Sequence, residues 1–119
     1  MRARTFTRMF LASLTLAALA LSAPASAAVD ADAAKALAKK NDCFKCHAID
    51  KTKKGPSYQK ISSKYKAPDK KATAEEKMMK HLTTSPKVKL EDGTEEDHKA
   101  LDGVSKAELT NLIQWILSN

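Results

Sequence analysis

The chain of 119 residues has little arginine and few aromatic side chains. All three arginines lie within its first eight residues, at positions 2, 4 and 8. The rest of the chain therefore lacks the forked guanidinium group that proteins commonly use to contact phosphates and guanine bases. One Trp, two Tyr and three Phe also give little surface for stacking on bases. These two shortages exclude nucleic acid as a predicted partner.

Large apolar side chains are also sparse between the N-terminal apolar run and the last predicted helix. Between residues 30 and 84 they are Leu37, Phe44, Ile49, Tyr58, Ile61, Tyr65, Met78, Met79 and Leu82. A domain of this size buries only about 60–65% of the surface of its unfolded chain. Small exported domains usually complete such a core with a disulfide, a metal or a cofactor, and we expect one of these here.

The first 27 residues have the three-part pattern of a secretory signal. Basic residues come first, an apolar run follows over residues 9–23, and the small residues Ala25-Ser26-Ala27 end the segment. The apolar run is shorter than the roughly 20 residues that span a bilayer, which disfavours an uncleaved anchor. We predict that residues 1–27 are a cleaved signal peptide. Residues 28–119 would then form one periplasmic domain, of formal charge +4 once the three arginines are removed from +7, with no stable membrane insertion.

The remaining chain predicts an all-α fold of about four short helices and no strand. The first helix is expected over residues 30–41 and the second over residues 57–64. Capping boxes open the other two helices, Thr73-Ala74-Glu75-Glu76 for a helix to Thr83 or Thr84 and Ser105-Lys106-Ala107-Glu108 for the last. Residues 85–104 are expected to form a long loop, and a loop of that length is usually functional or disordered.

The only two cysteines, Cys43 and Cys46, stand three apart and are followed directly by His47. A disulfide between them would close a very short loop. A thioredoxin-like redox pair expects a βαβ context, and a zinc site expects a second pair of ligands, neither of which the sequence offers. The fourth interpretation is attachment of haem c, in which both thiols add to vinyl groups and the histidine binds the iron. This is the interpretation that we favour.

With these residues the chain resembles the small class I c-type cytochromes over almost all of residues 28–119. The matching segments follow the family's order: the first helix, "CFKCH", "KKGPSY" and the C-terminal "NLIQWIL". The resemblance implies a small cytochrome c fold around one covalent haem c. It assigns thioether bonds to Cys43 and Cys46, the proximal iron ligand to His47, and support of that ligand to Gly55 and Pro56.

The sixth iron ligand is where the sequence departs from this family. The usual distal methionine lies in the loop before the last helix, but that loop here contains no methionine and does contain His98. Met78 and Met79 are the alternatives, although both fall inside the third predicted helix, where methionine commonly fills gaps beside a cofactor. His81 is interpreted as a surface histidine. We predict ligation by His47 and His98, and therefore a low reduction potential.

The function that this implies is one-electron transfer, without enzymatic activity. Lysines 51, 53 and 54 follow the attachment motif, and acids cluster at 91, 92, 95, 96 and 97, a separation that would steer docking to redox proteins with acidic patches. Four alternatives stay open at this point. They are a His/Met-ligated carrier, a gas-binding or sensing haem protein with a displaceable distal ligand, a small peroxidase, and a subunit of a larger oxidoreductase.

Overall fold

A computed structural model describes residues 27–119, and almost all of the predicted signal peptide lies outside the described residues. In chain order the elements are α1 Ala31–Lys40, α2 Cys43–Cys46, α3 Tyr58–Tyr65, α4 Pro68–Lys71, α5 Ala74–Thr83, β1 Lys87–Lys89, β2 Glu95–Asp97 and α6 Lys106–Leu117. The all-α prediction is confirmed. The four predicted helices correspond to α1, α3, α5 and α6, while α2 and α4 are single turns. Within the described range no helix is long and apolar enough to cross a membrane.

The first and last helices pack directly against each other. Ala34 and Ala38 are the buried residues of α1, at 1% and 0% exposure, and their small side chains let the two backbones approach closely. The Asn111 side chain of α6 accepts a hydrogen bond from the Asp30 amide and donates one to the Asp30 carbonyl, both at 2.8 Å. Asp30 in turn caps α1, because its carboxylate accepts from the Ala33 amide. This pair of hydrogen bonds thus joins the start of α1 to α6, at the two ends of the domain.

Helix α6 is the centre of the core, since α1, α3 and α5 all contact it. The buried apolar cluster consists of Ala34, Ala38, Tyr58, Met78, Leu82, Leu101, Leu109, Leu112, Ile113, Trp115 and Ile116. Ser62, a buried polar residue of α3, donates its hydroxyl to the Leu117 carbonyl at 2.7 Å and so ties α3 to the end of α6. Phe44 and Cys43 only border this cluster. The attachment motif therefore lies at the edge of the core.

The two predicted capping boxes have different outcomes. At the start of α6, the Ser105 hydroxyl accepts from the Glu108 amide and the Glu108 carboxylate accepts from the Ser105 amide, so this box is confirmed. At the start of α5 the prediction is wrong, because Thr73 makes no side-chain cap. Its hydroxyl instead donates to the Lys70 carbonyl at 3.4 Å. The preceding turn α4 takes the hydroxyl away from the capping position.

The segment expected to be a loop contains a short antiparallel hairpin. Strands β1 and β2 pair Lys87 with Asp97 and Lys89 with Glu95. Opposite charges therefore face each other across the ladder, a favourable arrangement for a solvent-exposed pair of strands. The turn is closed by Gly93, which has a φ of +87° that few other residues adopt. Only β1 shows an alternation, with Val88 half-buried between two exposed lysines, and β2 is exposed at all three residues. So short and one-sided a pattern did not predict strands.

Candidate functional site

Helix α2 brings the two cysteines onto one turn. Residues three apart on a helix lie on the same side, so the Cys43 and Cys46 side chains are neighbours. Both are free thiols and both are half-buried. Burial raises the pKa of the Cys43 thiol, which keeps it protonated at neutral pH. His47 ends this turn in an extended conformation and donates its amide to the Cys43 carbonyl at 2.9 Å.

The loop after His47 folds back over α2 and holds the imidazole. The Gly55 amide donates to the Cys46 carbonyl at 2.9 Å, which brings Pro56 next to the ring. His47 Nδ1 and the Pro56 carbonyl oxygen are 2.6 Å apart. Because a carbonyl oxygen can only accept, Nδ1 is the protonated nitrogen and Nε2 keeps a free lone pair. An imidazole held in this way is prepared to bind a metal ion through Nε2.

Gly55 leaves room for this ring. A Cβ atom at position 55 would lie 2.8 Å from His47 Cε1 and 3.2 Å from His47 Nδ1. Contacts under 3.0 Å force something to move, and here the neighbour is an imidazole fixed by its own hydrogen bond. Glycine is therefore required at position 55 by the closeness of His47, since its backbone is not among the positive-φ positions.

Tyr58 lies against the His47 imidazole and is itself packed against two other aromatic side chains. Tyr58 stacks on the imidazole, with ring centroids 5.4 Å apart and planes inclined by 22°. Phe44 and Trp115 meet Tyr58 edge to face, at 5.9 Å and 5.2 Å. Burial raises the pKa of the Tyr58 hydroxyl far above its ordinary value, so the phenol stays neutral. From the sequence, Tyr58 was predicted only as an apolar residue, and its contact with His47 was not predicted. Its place two residues after Pro56 was the available signal.

His98 follows β2 and faces His47. Its amide donates to the Pro86 carbonyl at 2.9 Å, and its Nδ1 lies 3.1 Å from the Lys99 carbonyl oxygen. By the same reasoning as for His47, the free lone pair is on Nε2. The two imidazole centroids are 6.2 Å apart, with planes inclined by 45°. Burial lowers the pKa of His98, which favours the neutral ring that a metal ion requires.

His81 also lies in this cluster, so all three histidines of the chain meet. It stands on the last turn of α5, and its ring meets His98 edge to face with centroids 4.5 Å apart. Burial, followed by the nearby His98 and His47, lowers its pKa. From the sequence, His81 was predicted to be a surface histidine. The side chain is indeed exposed, but its contact with His98 was missed because no local pattern links a helix end to a residue 17 positions later.

The two methionines proposed as alternative ligands lie on different sides of α5. Met78 is buried in the apolar core at 7% exposure. Met79 is half-buried and lines an open groove between α5 and α6, together with Ile113 and Thr110. Both positions are compatible with the packing role expected for methionine beside a cofactor.

The charges near the site are less separated than the sequence indicates. The Glu91 amide donates to the Lys54 carbonyl at 3.3 Å, so the acidic hairpin turn lies beside the lysine-rich loop. Within the hairpin, Lys87 and Asp97 form an exposed ion pair at 3.2 Å. Lys51 remains exposed, and Lys53 donates its ammonium to the Phe44 carbonyl, next to the cysteines. The loop that covers α2 therefore presents lysines next to an acidic turn.

The donors at this site fit a covalently attached haem. Two thiols on one turn are followed at once by an imidazole whose Nε2 is free, as attachment at both vinyl groups and axial ligation require. Phe44, Tyr58 and Trp115 supply apolar surface at the same edge of the core. A second neutral imidazole, His98, lies across from the first. The two thiols and the His47 imidazole would thus suffice to hold such a group.

Comparison with known proteins agrees with a covalently attached haem. The family model described as cytochrome c matches residues 31–119. The class 1 cytochrome MtoD from Sideroxydans lithotrophicus ES-1 is 51% identical, with a TM-score of 0.72 over 76% of this chain and 97% of that one. Cytochrome c552 from Nitrosomonas europaea is 28% identical, with a TM-score of 0.55 over 75% of this chain and 98% of that one. A comparison with curated proteins gave no significant match.

Proposed function

The chain belongs to the cytochrome c family and binds one haem c covalently, and from this premise we propose a one-electron carrier with its iron held between His47 and His98. The family membership supports the electron-carrier function. The ligation by two histidines rests on this chain's own residues, the neighbouring imidazoles of His47 and His98. No chemistry on a substrate is proposed.

The separation of the two imidazoles carries the ligation proposal. An imidazole nitrogen binds zinc, for comparison, at about 2.0–2.1 Å. An atom of a five-membered ring with bonds of about 1.33 Å lies about 1.1 Å from the ring centre. Two imidazoles on opposite sides of one ion therefore have centroids about 6.2–6.4 Å apart. The separation of 6.2 Å between His47 and His98 matches this requirement, and both rings keep Nε2 free.

Haem c, when bound, supplies the redox chemistry by changing its iron between Fe(II) and Fe(III). The chain's own residues hold and shield it. Cys43 and Cys46 would provide the sulfurs that attach the haem, and His47 would provide a nitrogen to its iron. The Pro56 carbonyl fixes the His47 ring and strengthens it as a donor, while Tyr58 covers its face. Side chains held in this way would need little rearrangement when the haem gains or loses an electron.

The ligand set has a consequence for the reduction potential. Methionine opposite histidine raises the potential of a c-type haem. A second imidazole is a stronger donor to Fe(III), so we propose a potential below that of His/Met-ligated members of the family. In oxidised protein matured in a host that attaches haem, we expect a low-spin spectrum without the far-red sulfur-to-iron charge-transfer band. Visible and near-infrared absorption spectra test this directly.

Two results of that measurement would contradict the proposal. A clear far-red band would return the sixth position to Met78 or Met79. A colourless product with the mass of the bare polypeptide, and with both thiols open to titration, would reject the haem site itself.

The lysine-rich loop supports docking to a redox protein with an acidic patch. Lys51, Lys53 and Lys54 lie in the loop that covers α2 and the proximal ligand. Electrostatic steering raises association rates by about 10- to 1,000-fold and weakens as salt is added. We expect Lys51→Glu together with Lys53→Glu to slow electron transfer to such a partner by about 10-fold or more at low salt. Stopped-flow rates over a series of ionic strengths measure the effect.

A matched control is available on α4. Lys70→Glu together with Lys71→Glu makes the same change in net charge, but on a turn that packs against α3. We expect this pair to change the rate much less. A rate that is independent of salt, or equal losses in both double variants, would remove the steering proposal.

Residues 1–27 are proposed to direct export and to be removed, which makes the mature protein periplasmic. The support is the basic, apolar and small-residue order of this segment. Haem c is attached outside the cytoplasm. Export of the chain therefore agrees with the presence of the attachment motif.

A further inference from the structure

We propose that His81 is a positioning residue for the distal ligand: its ring, on the last turn of α5, holds the His98 imidazole in place for ligation. This inference rests on the proposed ligation by His98 and adds to it a reason why that ligation is stable. The observation behind it is the edge-to-face contact of the two rings, with centroids 4.5 Å apart and planes inclined by 64°.

His98 needs such support because it lies outside any helix. It comes directly after β2, a strand of three exposed residues. Its backbone is held by one hydrogen bond from its amide to the Pro86 carbonyl at 2.9 Å. Its ring is held by Nδ1, which donates to the carbonyl of the next residue, Lys99, at 3.1 Å. That partner moves with His98 itself, so this bond sets the tautomer but cannot fix the ring relative to the rest of the protein.

The last turn of α5 is anchored in the core and can hold the His98 ring in place. Leu82, next to His81, is buried in the core, and its carbonyl accepts from the Leu101 amide at 2.9 Å. The segment that carries His98 is thus bonded to α5 on one side and to Pro86 on the other. The His81 side chain contacts the His98 ring, in the segment that these two backbone hydrogen bonds hold. A ligand held by rigid neighbours keeps its geometry better than one on an unsupported loop.

We expect the contact with His81 to make the replacement of His98 by small ligands less favourable. Competition with an external ligand depends on the fraction of protein in which the internal ligand is detached. An aromatic pair contributes enough to change that fraction by about 2- to 12-fold. Loss of the His81 ring should therefore tighten the apparent binding of cyanide and of imidazole by the same factor, because both require the same detachment of His98.

The test uses the full haem-loaded protein and optical titrations of the oxidised form. We compare the wild type with His81→Ala, His81→Phe and the control Thr83→Ala, which shortens a neutral exposed side chain on the same turn. We expect His81→Ala to bind cyanide and imidazole about 2- to 12-fold more tightly. His81→Phe keeps a ring against His98 and should lie within about 2-fold of the wild type, as should Thr83→Ala.

Each other outcome counts against the proposal in a recognisable way. Unchanged binding in His81→Ala overturns it. So does tighter binding of imidazole without tighter binding of cyanide, because that pattern means only that space was created. A loss of stability alone, seen in urea unfolding without a change in ligand binding, also overturns it. Failure of the proposed ligation itself is separate, since His98→Ala would then bind both ligands as the wild type does.

Discussion

His98→Ala is expected to leave the sixth coordination position of the iron without a protein ligand. His98 offers a neutral ring with a free Nε2 and a centroid 6.2 Å from that of His47, and alanine supplies no donor in its place. The oxidised protein should change from a six-coordinate low-spin spectrum to a high-spin or ligand-exchanging one. Visible absorption and electron paramagnetic resonance at neutral pH record this change.

The size of the effect follows from competition between internal and external ligands. If His98 is detached in about 1% of molecules, external ligands bind about 100-fold more weakly than to an open site. His98→Ala removes that competitor, so reduced protein should bind carbon monoxide rapidly and about 100-fold more tightly than the wild type. The same measurement on the wild type addresses the alternative of a gas-binding protein. Rapid binding of carbon monoxide to the unaltered protein at neutral pH would favour that alternative.

Two kinds of variant test whether the sixth ligand is histidine or methionine: one introduces a methionine at position 98, and the other removes a native methionine. His98→Met should raise the reduction potential and introduce the far-red charge-transfer band, because sulfur then faces His47. Met78→Leu and Met79→Leu keep the side-chain volume but remove the sulfur, and we expect neither to change the spectrum. An unchanged spectrum in His98→Ala, together with a loss of the low-spin state in one of the methionine variants, would show that the ligand is that methionine.

Several parts of this structure could be predicted because they depend on local chemistry. The spacing of Cys43, Cys46 and His47 predicts haem attachment, because one helical turn and the next residue suffice to define the donors. The Ser105 box and the apolar stripe of α6 likewise involve only neighbours along the chain. His98 was found as a candidate by its position before α6, where the family normally has methionine.

Other parts depend on contacts between distant segments and left no local signal. The hairpin places opposite charges across from each other, and β2 has no buried residue, so the single half-buried Val88 of β1 was too weak a pattern to predict it. Thr73 has a favourable capping sequence, but the turn α4 captures its hydroxyl. The contact of His81 with His98 requires that α5 and the segment after β2 lie side by side, which only the folded chain determines.

Gly55→Ala is expected to damage the site from the proximal side. The new Cβ would lie 2.8 Å from His47 Cε1, and the imidazole cannot retreat without losing its 2.6 Å hydrogen bond to the Pro56 carbonyl. The acceptor of this hydrogen bond is a backbone carbonyl, so no side-chain substitution removes it directly. A substitution at Gly55 disturbs the hydrogen bond indirectly, by displacing the His47 ring. Overpacking of this kind costs about 1–3 kcal/mol of folding free energy. We also expect a weaker bond from His47 to the iron, and hence a larger high-spin fraction in the oxidised protein.

Gly93→Ala is the control that separates a ligand effect from a general loss of stability. A Cβ at position 93 meets nothing within 4 Å, but the φ of +87° strains any residue with a side chain, at a cost of about 1–2 kcal/mol. Urea unfolding should therefore show losses in both variants, whereas the absorption spectrum and the reduction potential should change only in Gly55→Ala. If Gly55→Ala lost stability but kept the wild-type spectrum and potential, the close contact with His47 would have no part in holding the proximal ligand. If both variants shifted the spectrum equally, the effect would be one of folding, and the support of His47 by the loop that ends at Pro56 would have to be abandoned.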